Sequence, residues 1–286
     1  KTFTLYVEQP MSLNDLVIEK LEKQLKAPRE NDQEFLNNAL RLLAKWRHHL
    51  IQNTFVQHHG TEIINGPFKG LKFLSGSIEG CYVPKLLGCY EQPLHPVIKE
   101  LRKKKYEFVI NIGSAEGYYA AGLGKLLPDA KILAYDLDEK VRDPIKKLLK
   151  ENNITNCTYS DNSFSTKDFK KYSNKKTLII CDIEGAEKEL LDQEKAPELA
   201  LMDIIVEVHD CFIPNLSRIL SERFSSTHEI SLITDKGDRN IQFVPKWFEN
   251  LAHLDQLISF WEWRSGPTPW LIMNSLASKK INAAQE

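Results

Sequence analysis

No apolar stretch of the chain approaches the roughly 18 residues of a membrane span. Its five cysteines include no CxxC pair, and there is neither an internal repeat nor a low-complexity tract. The start, "KTFTLYVEQP", lacks the apolar centre of a signal peptide. Excess charge is missing as well. With 38 basic and 39 acidic residues the formal net charge is -1, so no overall field draws the chain to nucleic acid or to an anionic membrane. The local run "RKKK" (102–105) reads as a solvated helix end. Of Cys81, Cys89, Cys157, Cys181 and Cys211, three lie in or beside apolar strand-like runs, as reduced, buried thiols do, and a reducing, cytoplasmic setting is expected. What remains is 286 residues, 42% hydrophobic and 27% charged: a globular chain with core enough to fold alone, as one large domain or two smaller ones.

Residues 12 to about 58 space their apolar side chains at three and four, with "APREND" as a break, and predict two helices. From "GTEIINGPFKGLKF" (60–73) the pattern changes to short β-like pieces punctuated by glycine, which places a boundary near residue 60. The reading is a helical N-terminal extension over 1–60 and a second domain over 61–286, with a lead-in segment (61–105) before a sheet core (106–275). After residue 105 strand and helix alternate through "EFVINIG", "KILAYDLD", "CTYSD", "TLIICDIEG" and "MDIIVEVHD". That order predicts an α/β fold with a Rossmann-like, doubly wound, mostly parallel sheet. "HEISLITD", "NIQFVP" and "PWLIMNS" are strand-like with a helical stretch only between the last two, so an antiparallel C-terminal edge is expected.

The first strand runs into a glycine turn, "VINIGSAEGYYAAGLG" (109–124), with Gly113 and Gly117 as its marks. A dinucleotide site wants Gly-x-Gly-x-x-Gly, whose glycines let the backbone close on a pyrophosphate. Here the middle glycine is absent and Glu116 occupies the loop, where it would repel a phosphate. S-adenosylmethionine carries no phosphate but has a sulfonium and an ammonium, which an acid suits. Asp136 closes the second strand 23 residues after Gly113, near the spacing at which an acid accepts ribose hydroxyls. The alternative for Asp136 is a cap on the following helix.

These stretches resemble the class I, S-adenosylmethionine-dependent methyltransferases, and within them the FkbM-like group, whose known members mostly methylate hydroxyls of sugars and natural products. "VINIGSAEGYYAAGLG" looks like the first methyltransferase motif. "LIICDIEGAEKELL" (178–191) is close to the Asp-x-Glu-Gly-Ala-Glu signature of the FkbM-like group, and "IIVEVHD" (204–210) is similar to its next strand. The match spans about residues 106–275. It departs in one respect: many class I enzymes have an acid two residues before the first glycine, where this chain has Asn111. The resemblance implies a seven-stranded sheet and a cofactor set of Gly113, Ser114, Glu116, Gly117, Asp136, Asp161 and Asp182. By analogy Tyr90 and Glu91, in "LLGCYEQPLH" (86–95), close over the methionine end of the cofactor.

Methyl transfer from a sulfonium is an in-line displacement, so the protein has to position the acceptor and remove its proton. The candidates lie at the ends of the fourth and fifth strands: Asp182, Glu184 and Glu187 from one, Glu207, His209 and Asp210 from the next. His209 is the natural base, with Asp182 and Glu207 as catalytic partners. Strand alternation puts Glu207 and His209 on one face and Asp210 on the other, so all three serve one site only if the strand ends at His209. A competing account gives Asp182, His209 and Asp210 to a Mg or Mn ion that acidifies the acceptor oxygen. Trp261, Trp263 and Trp270 offer aromatic faces for a sugar ring, and Arg264 a partner for an acidic substrate. The expected protein is an O-methyltransferase acting on a saccharide or glycosylated small molecule. It would engage no nucleic acid, and a homo-oligomer would form through the N-terminal helices. The rivals are a non-catalytic cofactor-binding module and an NAD-dependent oxidoreductase. Asn-Pro-Pro-Tyr and Asp-Pro-Pro-Tyr types of motif, which mark methylation of base nitrogens, are absent after strand four, where the chain reads "DIEG".

Overall fold

The computed structural model describes residues 11–29, 31–76, 80–264 and 266–277. The reading of the first ten residues as lacking a signal centre lies outside them. The chain divides into two compact units, one of residues 1–60 and 245–259, the other of 61–244 and 260–286.

The first unit is helical. Helix α1 (Leu13–Lys26) starts at a capping box in which Ser12 and Asp15 satisfy each other's backbone N–H groups. Helix α2 (Asp32–His59) starts where the Asn31 side chain accepts from the N–H groups of Gln33 and Glu34. Two short helices from later in the chain, α9 (Lys246–Glu249) and α10 (His253–Ser259), belong to the same unit. Arg47 of α2 donates to both carboxylate oxygens of Asp255 at 2.6 and 2.5 Å, a bidentate pair that joins α2 to α10. The sequence pattern did not show that α9 and α10 leave the second domain, because the pairing is set over a separation of 208 residues.

The second unit begins with the short helices α3 (Tyr82–Leu87) and α4 (His95–Glu100). The alternating part follows as β1 (Phe108–Ile112), α5 (Tyr118–Leu126), β2 (Lys131–Tyr135), α6 (Arg142–Glu151), β3 (Cys157–Ser160), β4 (Thr177–Cys181), α7 (Glu187–Leu190), β5 (Asp203–Glu207), α8 (Leu216–Phe224), β6 (His228–Ile233) and β7 (Trp270–Ser275). The sheet order is β3-β2-β1-β4-β5-β7-β6. The first five strands are parallel, and β7 runs antiparallel to both β5 and β6. This is the Rossmann-like, doubly wound, mostly parallel sheet with an antiparallel edge that the pattern implied, with the seven strands that the resemblance implied. β1 and β4 are mostly apolar, with Asn111 and Thr177 the exceptions, and almost wholly buried because both faces are covered. Ile110, Ile112, Ile179, Ile204, Val206 and Met273 pack on one face against Leu216, Leu220 and Phe224 of α8.

One strand expectation fails. "NIQFVP" contains no strand; Asn240 and Phe243 are instead held by side-chain amides, with the Asn240 N–H on Gln92 at 2.6 Å and the Phe243 N–H on Asn65 at 3.0 Å. These two N–H groups are taken up by side chains from distant segments and do not pair with the sheet edge. Among the described residues no helix is long and apolar enough to cross a membrane. All five cysteines are free thiols, and only Cys211 is exposed.

Candidate active site

The reversal of strand order between β1 and β4 opens a crevice at the carboxyl ends of the strands, where ligands of such sheets bind. A cleft of about 760 Å³ lies there, and Gly113, Asp136, Asp182 and Glu184 are among its lining residues. Its floor is the glycine turn. The N–H groups of Gly113 and Ser114 both donate to the Tyr135 carbonyl at 2.9 Å, and Gly113, Ala115 and Gly117 all take positive φ (76°, 43° and 93°). Gly113 is required for a second reason: a Cβ there would lie 1.6 Å from the Asp182 carbonyl oxygen.

Asp136 braces this turn. Its Oδ2 accepts from the Ala115 N–H at 2.7 Å and its Oδ1 from the Asp138 N–H at 2.8 Å. A carboxylate has about four lone-pair positions, so both oxygens keep acceptor capacity toward the cleft. The capping role falls to Asp138, which accepts from the Lys140 N–H at 2.9 Å.

Glu116 does not face the cleft. It is fully buried, and its Oε1 accepts from the Lys85 ammonium at 2.8 Å, with Lys85 itself 1% exposed. The ammonium sits 5.0 Å from the ring centroid of Tyr90 and 5.7 Å from those of Phe73 and Tyr118. A buried carboxylate needs a hydrogen-bonded counter-charge, and the chain supplies its own from α3. The cation opposite Glu116 is therefore a lysine, which corrects the expectation of a ligand's sulfonium or ammonium. The one clue in the sequence was a single lysine inside the apolar run "YVPKLLG".

Tyr90 and Glu91 are likewise outside the cleft lining. Glu91 is buried beside Tyr119, whose hydroxyl donates to it, and it accepts from Arg264 at 2.9 Å. The same guanidinium donates to Glu207 and, at 3.2 Å, to Glu262. Burial first, and then the Glu207 charge, push the Glu91 carboxyl well above the ordinary carboxylate range. Glu207 is thus an ion-pair partner of Arg264, and Arg264 is spoken for by this chain's own acids. Trp270 is buried against Tyr119 in the same region.

Asp161 pairs with Arg142 instead of lining the cleft; Asn162, Ser163 and Phe164 line it in its place. Asp210 also leaves the expected set, because β5 ends at Glu207, two residues earlier than His209, and the turn that follows aims Asp210 at the Ser217 N–H (2.8 Å).

What the fold does assemble is a trio. His209 Nδ1 lies 2.9 Å from Glu187 Oε1, and its Nε2 lies 3.6 Å from Asp182 Oδ1. Glu187 Oε1 also accepts from the Ile183 N–H at 3.2 Å, which fixes the carboxylate from the backbone side. Asp182 lines the cleft and is one-third exposed, whereas Glu187 is fully buried. The imidazole is therefore held at Nδ1 by a buried acid and presents Nε2 toward the acid at the cleft wall, the arrangement of an oriented general base. Burial works against a charged ring, but the Glu187 hydrogen bond and the charges of Glu207, Glu187 and Glu184 outweigh it and raise the His209 pKa above its ordinary 6.5. Burial likewise works against a charged Glu187; the His209 hydrogen bond and backbone donors overcome it and lower the Glu187 pKa below 4.5.

Both shifts describe one ion pair, and their signs define a window. The raised histidine stabilises the fold below pH 6.5 and ceases to as pH rises through its folded value; the lowered glutamate stabilises it above pH 4.5 and ceases to as pH falls. The contribution of the pair is therefore greatest between those two values. Glu187→Gln is expected to flatten the pH dependence of urea unfolding there, and an unchanged profile in the variant would show that the pair is not coupled to folding.

No family model matches the chain and no curated protein matches it. Solved structures of similar fold include a putative O-methyltransferase from Klebsiella pneumoniae, 10% identical with a TM-score of 0.42 over 65% of this chain and 80% of that one. They also include an rRNA methylase from Streptococcus thermophilus, 13% identical with a TM-score of 0.41 over 63% of this chain and 94% of that one. An O-methyltransferase from Bacillus cereus in complex with SAH is 11% identical, with a TM-score of 0.40 over 64% of this chain and 81% of that one. At 10 to 13% identity these are likenesses of fold, and the chemistry has to be read from this chain's own residues.

Proposed function

We propose that this chain is an S-adenosylmethionine-dependent methyltransferase that transfers a methyl group to a hydroxyl oxygen. The observation that carries the reading is the cleft at the switch between β1 and β4, floored by a glycine turn without a pyrophosphate motif and walled by Asp136 and Asp182. One further feature fits the cofactor. The Asp136 carboxylate retains lone pairs for ribose hydroxyls.

When bound, the cofactor supplies a methyl group on a sulfonium, which departs as neutral S-adenosylhomocysteine as the new C–O bond forms. The protein's part is to remove the acceptor proton. His209 Nε2 takes it, Glu187 holds the ring and stabilises the imidazolium, and the proton passes to solvent afterwards. Activity therefore needs neutral His209 and rises with pH through a value above 6.5. Glu187→Gln removes the negative charge that helps raise this value and leaves at most a weaker neutral hydrogen bond, so the rising limb of kcat/KM moves to lower pH while the maximal rate falls. If the limb stays in place, His209 is not the base.

A second reading is favoured by one observation: ligand atoms of Asp182, Glu187 and His209 lie within 4.8 Å of one another. Mg or Mn held there would acidify the acceptor oxygen, with Glu187 in the place that the sequence assigned to Asp210. The acceptor class we favour, a saccharide or glycosylated small molecule, rests on the resemblance of "DIEGAE". A reduced, cytoplasmic setting fits the free thiols, and self-association through the N-terminal helices fits the exposed Leu36, Leu40 and Leu43 on α2.

Calorimetric titration with S-adenosylhomocysteine, and separately with NADH, each with and without Mg, tests the proposal. Micromolar binding of the first alone is expected. Binding of NADH alone would overturn the methyltransferase reading.

A further inference from the structure

Phe212 is 57% exposed, yet it is not a loose surface ring. Its N–H donates to the His209 carbonyl at 2.9 Å, and the Ile213 N–H donates to the same oxygen at 2.9 Å, closing a tight turn after β5. That turn sets the phenyl ring parallel to the imidazole and displaced from it: the centroids are 5.5 Å apart and the planes differ by 1°. His209 is 6% exposed, and Phe212 is the open side chain stacked on it. The next loop is packed close, since a Cβ at Gly266 would lie 3.0 Å from Cys211 Cβ. An apolar ring kept in water forfeits the free energy of its burial. This one is held there by backbone hydrogen bonds, beside the group proposed to take the acceptor's proton, and it is not among the residues that line the cleft.

We propose that Phe212 is the acceptor platform of this enzyme, a specificity-determining residue on which the apolar face of a ring-shaped acceptor stacks so that a hydroxyl reaches His209. The proposal rests on the methyltransferase reading and deepens it. Stacking on an aromatic face binds rings without using their hydroxyls, so it leaves one free for the base. The tryptophans that the sequence singled out lie elsewhere: Trp270 is buried, and Trp261 and Trp263 pack on each other with centroids 5.8 Å apart. The exposed aromatic ring next to the base is Phe212.

The test compares wild type, Phe212→Ala and Phe212→Trp, each saturated with S-adenosylhomocysteine, by saturation-transfer NMR. The probes are methyl α-D-mannopyranoside, methyl β-D-glucopyranoside and 4-nitrophenyl β-D-glucopyranoside. Expected is binding of at least one pyranoside to wild type, weakened about ten-fold by Phe212→Ala, as loss of a single stacking contact does, and retained by Phe212→Trp. With the bound pyranoside as substrate, KM rises by the same factor while kcat stays within about three-fold. Affinity for S-adenosylhomocysteine is expected to be unchanged in all three proteins. Equal pyranoside binding by wild type and Phe212→Ala overturns the platform, as does a wild type that binds S-adenosylhomocysteine but no pyranoside. A wild type that fails to bind S-adenosylhomocysteine overturns the underlying reading instead, which separates the two failures.

Discussion

Lys85→Ala is expected to cost about 3–5 kcal/mol of folding stability, because it strands the Glu116 carboxylate without its ammonium in a fully buried position. Against a total of about 5–15 kcal/mol for a protein domain, a loss of that size leaves a chain that melts far earlier and binds cofactor weakly, since Glu116 belongs to the glycine turn. The informative comparison is the double variant Lys85→Met with Glu116→Gln. Replacing both partners removes the buried charge as well as the attraction, and the remaining amide and thioether sit among Phe73, Tyr90 and Tyr118, so most of the lost stability should return. Urea unfolding of the two variants and wild type measures this. Near-equal stability of Lys85→Ala and wild type would mean that the pair is open to water in solution. A double variant as unstable as the single one would mean that Lys85 acts through packing of its stem and not through charge.

The second large effect is at Gly113. Gly113 and Gly237 have nearly the same backbone angle, φ 76° and 78°, so alanine carries a similar left-handed strain at each. They differ in surroundings. An added Cβ at Gly237 meets nothing within 4 Å, whereas at Gly113 it lies 1.6 Å from the Asp182 carbonyl oxygen, a backbone atom that no rotamer change can move. Gly237→Ala should therefore cost about 1 kcal/mol and leave S-adenosylhomocysteine binding intact. Gly113→Ala has to push the β1 turn away from the end of β4, which displaces both walls of the cleft. Loss of binding by at least a hundred-fold is expected, with a fall in Tm several times that of Gly237→Ala. Equal behaviour of the two variants in calorimetry and thermal melts would show that the close approach of β1 to Asp182 plays no part in the site.

The order of the sheet was legible because its signals are local and redundant. Apolar runs at β4 and β5 are continuous and that at β1 is broken only by Asn111, which marks strands covered on both faces, and helices intervene between them. "NIQFVP" misled for the complementary reason. Its composition suits a strand, but Asn65 and Gln92 satisfy its backbone first, and a partner about 150 or more residues away leaves no trace in a window of six. The separation of α9 and α10 from the sheet domain was hidden in the same way by the Arg47–Asp255 pair.

Within the site, residue types were readable and directions were not. The strand-end rule picked out Asp182 and His209, and the structure brings them to 3.6 Å. The same rule also picked Glu207 and Asp210, which differ from His209 only in where the chain turns after β5. Periodicity cannot supply that turn, because it depends on the carbonyl of His209 receiving the N–H groups of Phe212 and Ile213. By itself the sequence determined the sheet, the glycine turn and the pool of acids and imidazole at the strand ends, since each follows from a repeat or a spacing within a few residues. Only the tertiary structure decided that Glu116 faces Lys85, that Glu207 serves Arg264, that Glu187 holds His209 and that Phe212 stands open beside it. A buried charge takes whichever partner the packing of distant segments brings within hydrogen-bond reach, and that proximity exists only once the chain has folded.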